Sequence, residues 1–219
     1  MDERKTRFFL GIDLGQAADF TAMALLERPL IHRHDPNDNR RPVYQMKHLE
    51  RFPLGTHYSQ VAQSVVPIIR RIPEPPLSIL VDQTGVGRAV LTQLLDGLYH
   101  AAPWKLLACT ITAGTEMTNG ENGGMYVPKK ELVGTLQVLL QSRRLQIPRS
   151  LPDAALLARE LENFKSKPVL ASKDAPLDWR EGQHDDMVLA VALAAWWGEA
   201  TIPAYEPPIP DYEYPEVYL

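Results

Sequence analysis

The run Met187–Trp197 (MVLAVALAAWW) is apolar on every side, and His184–Asp185–Asp186 stands at its head. Leu189, Ala190, Leu193 and Trp197 fall three, four, seven and eleven residues beyond Asp186. That spacing predicts a helix buried in the core, with its carboxylate end on the same side as a buried stripe. Two adjacent carboxylates at the mouth of a core helix are costly unless something positive compensates them. The helix N-terminus supplies part of that charge, and a divalent cation is suited to supply the rest. The fold must therefore enclose this helix, and its function turns on whether other carboxylates reach the same point.

The segments before it alternate between strand and helix patterns. Phe8–Ile12 reads as a central buried strand that ends at Asp13 and turns at Gly15, and Thr21–Glu27 returns as the second arm of a hairpin. Ile31–Arg41 is polar loop, and its two histidines lack the third ligand a metal site needs. Val43–Phe52 reads as a third strand. A helix capped by Thr56 runs to about Ile72, with Val61, Val65, Ile68 and Ile69 inward and Pro67 suggesting a kink. Leu77–Val81 is a short buried strand that also ends in a carboxylate, Asp82, before Gln83–Gly87 leads into a helix over Arg88–Tyr99.

Lys105–Thr112 is a further strand, and the Gly/Asn-rich Ala113–Gly124 has the pattern of a mobile loop. Pro128 stands where a first-turn proline belongs, opening an amphipathic helix over Lys129–Arg144. A short strand, Leu145–Ile147, and a helix over Pro152–Phe164 follow. Ser166–Glu181 is basic and polar, with a hairpin as one reading, and from Thr201 the proline-, tyrosine- and acid-rich chain reads as an extended tail. The organisation expected is one α/β domain over residues 1–200 and a tail over 201–219.

Charge is unevenly spread. The chain of 219 residues has a formal net charge of −4, yet no Lys or Arg follows Arg180 while eight acids do. Residues 1–180 hold all 23 basic residues against 19 of the 27 acidic ones, a mildly basic body compatible with phosphate binding. No apolar run is long enough to span a membrane, and the charged N-terminus is not followed by a signal-peptide core. The single cysteine, Cys109, excludes an intramolecular disulfide, suits a reducing cytoplasm, and reads as a small buried hydrophobe.

Three carboxylate positions share one kind of address: Asp13 ends the first strand, Asp82 ends the fourth, and Asp185/Asp186 begins the last long helix. In a mixed α/β sheet such strand ends and a helix start can converge on one edge. Any single Asp there reads as a turn residue; three at matching addresses read as a site. Hard oxygen donors without a cysteine or histidine set suit Mg²⁺ or Mn²⁺. Two such ions can activate a water and stabilise the leaving oxygen in phosphodiester hydrolysis.

The ordered motifs GIDLG–QAA–DFTA, LVDQTGVG, ELENF and EGQHDDMVLAVALAAWW, with YVPKKELVGTL between the second and third, resemble the nuclease domain of phage terminase large subunits. That domain belongs to the RNase H-like superfamily, with the Holliday-junction resolvases as relatives, and the resemblance covers about Phe8 to Trp197. It implies an RNase H-like α/β fold, a mixed five-stranded central sheet flanked by helices. It further implies a metal-dependent endonuclease using two Mg²⁺ or Mn²⁺ ions. In that reading Asp13 bridges both metals, Asp82 holds one, and Asp186 or the adjacent Asp185 supplies the third position. His184 is an accessory candidate, and Asp19 matches the family's second aspartate, where a turn role is the simpler reading. Lys129, Lys130, Arg143, Arg144, Lys165 and Lys167 are candidate DNA phosphate contacts.

One departure is informative. A complete terminase large subunit carries an ATPase motor before its nuclease, and no GxxxxGK[ST] phosphate loop occurs here. The expectation is an isolated nuclease domain or a free-standing protein of that fold, with DNA as partner and any ATPase, small subunit or portal supplied separately. GIDLG before a hairpin also opens actin-like ATPases and sugar kinases, but the length leaves no room for their duplicated halves. A resolvase-like structure-specific nuclease, expected as a homodimer, and a non-catalytic DNA-packaging or interaction protein are the alternatives.

Overall fold

The computed structural model describes residues 6–15, 19–29, 41–72, 77–86, 88–98, 104–120, 123–165 and 185–201. Strands β1 (Thr6–Asp13), β2 (Ala22–Pro29) and β3 (Tyr44–Arg51) form an antiparallel meander, followed by α1 (Tyr58–Arg71). Next come β4 (Leu77–Asp82), α2 (Arg88–Leu98) and β5 (Trp104–Thr112). Short strands β6 (Thr118–Asn119) and β7 (Met125–Pro128) lead to α3 (Lys129–Gln141), β8 (Leu145–Gln146), α4 (Ala154–Lys165) and α5 (Asp186–Thr201). These strands make one mixed sheet in the order β6-β7-β5-β4-β1-β2-β3-β8.

The five expected strands are its centre, β5-β4-β1-β2-β3, and three short strands extend it to eight. This is the α/β, RNase H-like sheet that the sequence implied. The differences lie at its margins. The stretch read as a mobile loop contributes β6, which pairs antiparallel with β7 and is closed by Gly120 N–H donating to the Gly124 carbonyl at 2.8 Å. Strand β8 is the expected short strand at Leu145–Ile147, whereas β6 and β7, of two and four residues, carry too little periodicity to be seen without their partner. Thr56 does not cap α1, because it lies one residue before the N-cap position, and its hydroxyl donates to the Pro53 carbonyl at 2.7 Å. Instead His57 precedes the helix, and the Gln60 side chain accepts from its N–H at 3.2 Å. The proposed hairpin over 166–181, the loop histidines and the tail beyond Thr201 lie outside the described residues.

Side-chain alternation divides the core into two layers. Leu10 and Ile12 of β1, Met23 and Leu25 of β2, and Ile79 and Val81 of β4 pack on one face with α1 and α2. Phe9, Ala22, Ala24, Leu26 and Leu80 pack on the other, with α3, α4 and α5. Helix α5 is the filling of that second layer, buried from Asp186 through Trp196. Its approach to β1 is very close: a Cβ on Gly11 would lie 2.0 Å from the Ala190 carbonyl oxygen and 3.1 Å from the Ala194 nitrogen. Glycine in β1 and alanines in α5 let the two backbones meet.

Candidate active site

That close crossing sets where the carboxylates fall. Asp13 shares a face of β1 with Phe9 and Gly11, and Asp82 shares a face of β4 with Leu80, so both belong to the α5 side of the sheet. The two aspartates are direct register partners in the parallel β1–β4 ladder. Asp186 is the first residue of α5, and Asp185 stands just before it, its carbonyl accepting the Leu189 N–H at 2.9 Å. Asp13, Asp82 and Asp186 are all buried.

Burial pushes the Asp13 carboxyl well above the usual carboxylate range, and the charges of Asp82, Asp186 and Asp185 push it further. Lys129 acts in the opposite direction. All four aspartates therefore lie within one electrostatic neighbourhood. Their side chains are also held by the protein. The Asp82 Oδ1 accepts from the Thr84 N–H at 2.8 Å and from the Thr84 hydroxyl, which in turn accepts the Ile111 N–H at 2.8 Å. The Asp185 Oδ2 takes the Lys129 ammonium at 3.0 Å.

Among the described residues no three His, Cys, Asp or Glu side chains are gathered tightly enough to hold a metal ion as they stand. Thr84 and Lys129 satisfy two of the carboxylates. The donor set itself fits a hard divalent ion: carboxylate oxygens only, at the ends of two adjacent strands and one helix.

The fold has structural counterparts. Human cytomegalovirus terminase nuclease domain superposes with a TM-score of 0.54 at 14% identity, covering 87% of this chain and 82% of that one. A manganese-soaked structure of the same domain gives 0.53 at 15% identity, over 86% and 82%. This chain has the terminase-nuclease fold. A fowlpox virus resolvase with Holliday junction DNA matches at a TM-score of 0.41 and 11% identity, covering 88% of this chain and 99% of that one. No protein-family model matches the sequence, and no curated protein is similar to it at a significant level.

On this terminase-nuclease fold the basic candidates separate. Lys129 and Lys130 open α3 beside the aspartates, Lys129 half-buried and Lys130 exposed. Arg143 and Arg144 follow the far end of the same helix, roughly 20 Å along its axis at 1.5 Å per residue. Arg143 is exposed, with a left-handed φ of 56° that ends the helix. Arg144 corrects the expectation of a phosphate contact. Its buried guanidinium makes a bidentate pair with Glu199 at 2.7 and 2.8 Å and donates to the Pro42 carbonyl at 2.8 Å. Asp19 is exposed, with its carbonyl oxygen close against Gly15. His184, Lys167 and the side chain of Lys165 lie outside the described residues.

One acidic residue of the site has no role in the sequence reading, although its motif, ELENF, is there. Glu160 of α4 is buried, and its Oε2 accepts the backbone N–H groups of Met187 at 3.1 Å and Val188 at 3.4 Å. Burial and the Asp186 charge push its carboxyl up to about 7, against the pull of Arg51 and those two amides. The helical pattern through Leu156, Leu157 and Leu161 marks α4 as amphipathic but does not show that Glu160 faces another helix's end.

Proposed function

We propose that this chain is a metal-dependent endonuclease that hydrolyses DNA phosphodiester bonds, as in the nuclease of a viral genome-packaging terminase. The observation that carries the reading is the register pairing of Asp13 with Asp82 on the face where α5 presents Asp185 and Asp186. Asp13, Asp82 and Asp186 would hold two Mg²⁺ or Mn²⁺ ions, with Asp185 as the alternative third ligand. When bound, the ions supply a nucleophilic hydroxide at neutral pH and stabilise charge on the leaving oxygen.

The chain's own residues account for the remainder. Asp13, buried among three other carboxylates that raise its pKa, gains from added positive charge. Lys129 at the start of α3 is placed to exchange Asp185 for a substrate phosphate, and the exposed Lys130 next to it extends that basic edge. The α3 N-terminus adds its own positive end to the same surface. In this reading the nuclease unit spans residues 1–200, residues 201–219 are an appended tail, and any motor, small subunit or portal acts as a separate partner.

Cleavage of supercoiled plasmid in Mn²⁺ and in Mg²⁺, set beside the same reaction in EDTA, tests the assignment. Metal-dependent nicking or linearisation supports it, and no cleavage under any metal overturns it. A synthetic four-way junction in parallel separates two outcomes. Cutting of plain duplex with little structure preference fits a terminase-like nuclease, and cutting confined to the junction fits a resolvase-like one.

A further inference from the structure

Helix α5 begins without the cap its own sequence offers. Asp185 occupies the position whose side chain ordinarily turns back to accept the first orphan N–H groups of a helix. Here its Oδ2 is directed to Lys129 instead. The Met187 and Val188 amides are met by Glu160, which arrives from α4, 27 residues away from Met187 in sequence. The other carboxylate oxygen of Glu160, Oε1, meets the Arg51 guanidinium at 3.4 Å. Arg51 is fixed in turn: its N–H donates to Asp153 Oδ2 at 3.0 Å, and its guanidinium lies 4.2 Å from the Phe20 ring centre. One buried carboxylate thus ties the end of β3, helix α4 and the first turn of α5 together.

We propose that Glu160 is a positioning residue for the candidate metal site. By capping α5 from outside, it leaves Asp185 turned towards Lys129 and the site, and it fixes the backbone from which Asp186 projects. Two hydrogen bonds to consecutive amides define both the height and the rotation of that first turn, which a single contact would not. A buried carboxylate beside Asp186 is electrostatically unfavourable on its own. Its retention there is explained by the hydrogen bonds it accepts from the helix end, where the dipole favours negative charge. The inference rests on the metal-dependent nuclease reading.

Mn²⁺ binding followed by isothermal calorimetry, without DNA, separates geometry from charge. Glu160→Gln keeps an acceptor oxygen at full reach and removes the charge, whereas Glu160→Asp keeps the charge and withdraws the acceptor by one methylene. Affinity for E160Q is expected within about threefold of the wild type, while E160D weakens by about 10-fold or more, the usual cost of losing a residue that orients a ligand. Thermal unfolding of each variant confirms that the measurement is made on folded protein. Equal affinity in E160D and wild type, or a fall in E160Q as large as in E160D, overturns the positioning role. If the wild type itself binds no Mn²⁺, the nuclease reading fails instead, so the two failures are distinct.

Discussion

Gly11 of β1 lies against the Ala190 carbonyl of α5 so closely that a single added Cβ would sit 2.0 Å from that oxygen. The contact is backbone to backbone, so no side chain can rotate away to relieve it. It is also the point from which the carboxylates are measured: Asp13 is two residues along β1, and Asp186 is one helical turn back along α5. Gly11→Ala is therefore expected to push α5 off the sheet and to destabilise the protein by ~1–3 kcal/mol or more. A denaturant titration reads the loss, and an unchanged midpoint would mean that the helix does not sit where described.

Asp13 carries a heavy electrostatic burden, and its removal should relieve the fold while ending its function. With Asp13→Asn the buried repulsion from Asp82, Asp186 and Asp185 is lost. The expected result in EDTA is a higher Tm than wild type, about 2–4 °C for each kcal/mol recovered in a chain of this size. Added Mn²⁺ should raise the Tm of the wild type and leave that of D13N almost unmoved. A lower Tm for D13N in EDTA would contradict the picture of a strained carboxylate cluster.

The same strain gives a pH dependence. Glu160, with its carboxyl moved from 4.5 up to about 7, and Asp13, also raised, both favour the protonated form in the folded state. Between those values the native protein holds more protons than the unfolded chain. The stabilising contribution of Glu160 is full below about 4.5 and is lost as pH rises through about 7, and the raised Asp13 acts in the same direction. Urea midpoints in EDTA should therefore fall between pH 5 and pH 8, and E160Q should flatten that slope. A wild-type midpoint that climbs over the interval would count against it.

Arg144 offers a separate check, because its bonds tie it into the fold. Arg144→Met leaves Glu199, which also accepts the Tyr44 hydroxyl at 2.9 Å, without its guanidinium partner. A loss of about 1–3 kcal/mol in stability is expected from breaking a pair that is buried on the arginine side and half-buried on the glutamate side. DNA affinity of the folded fraction should not change. Lys130→Ala should do the reverse, weakening DNA binding and its salt dependence with little effect on unfolding. Electrophoretic shifts at two salt concentrations distinguish them.

The parts of this molecule that were legible in the sequence are those whose signal is local. The apolar runs of β1 and β4 stop at Asp13 and Asp82, and an all-apolar helix must be enclosed, so the strand ends and α5 could be placed from pattern alone. Register was not legible: that Asp13 faces Asp82 across a parallel ladder depends on β4 lying beside β1 after an intervening helix. Arg143 and Arg144 are neighbours in sequence with the same side chain, and only the left-handed turn at Arg143 sends one outward and the other into the core. Glu160 was hidden for a related reason. Its environment is made by Met187, Val188 and Arg51, which come from two other elements.

The central claim is that Asp13, Asp82 and Asp186 together make this fold a nuclease. It is tested most directly by following cleavage of supercoiled plasmid in Mn²⁺ by the wild type and by Asp13→Asn, Asp82→Asn and Asp186→Asn at matched folded concentration. Cleavage by the wild type alone, with all three variants inactive, is the predicted result. Cleavage by any of the three at the wild-type rate, or by none of the four proteins, would contradict it.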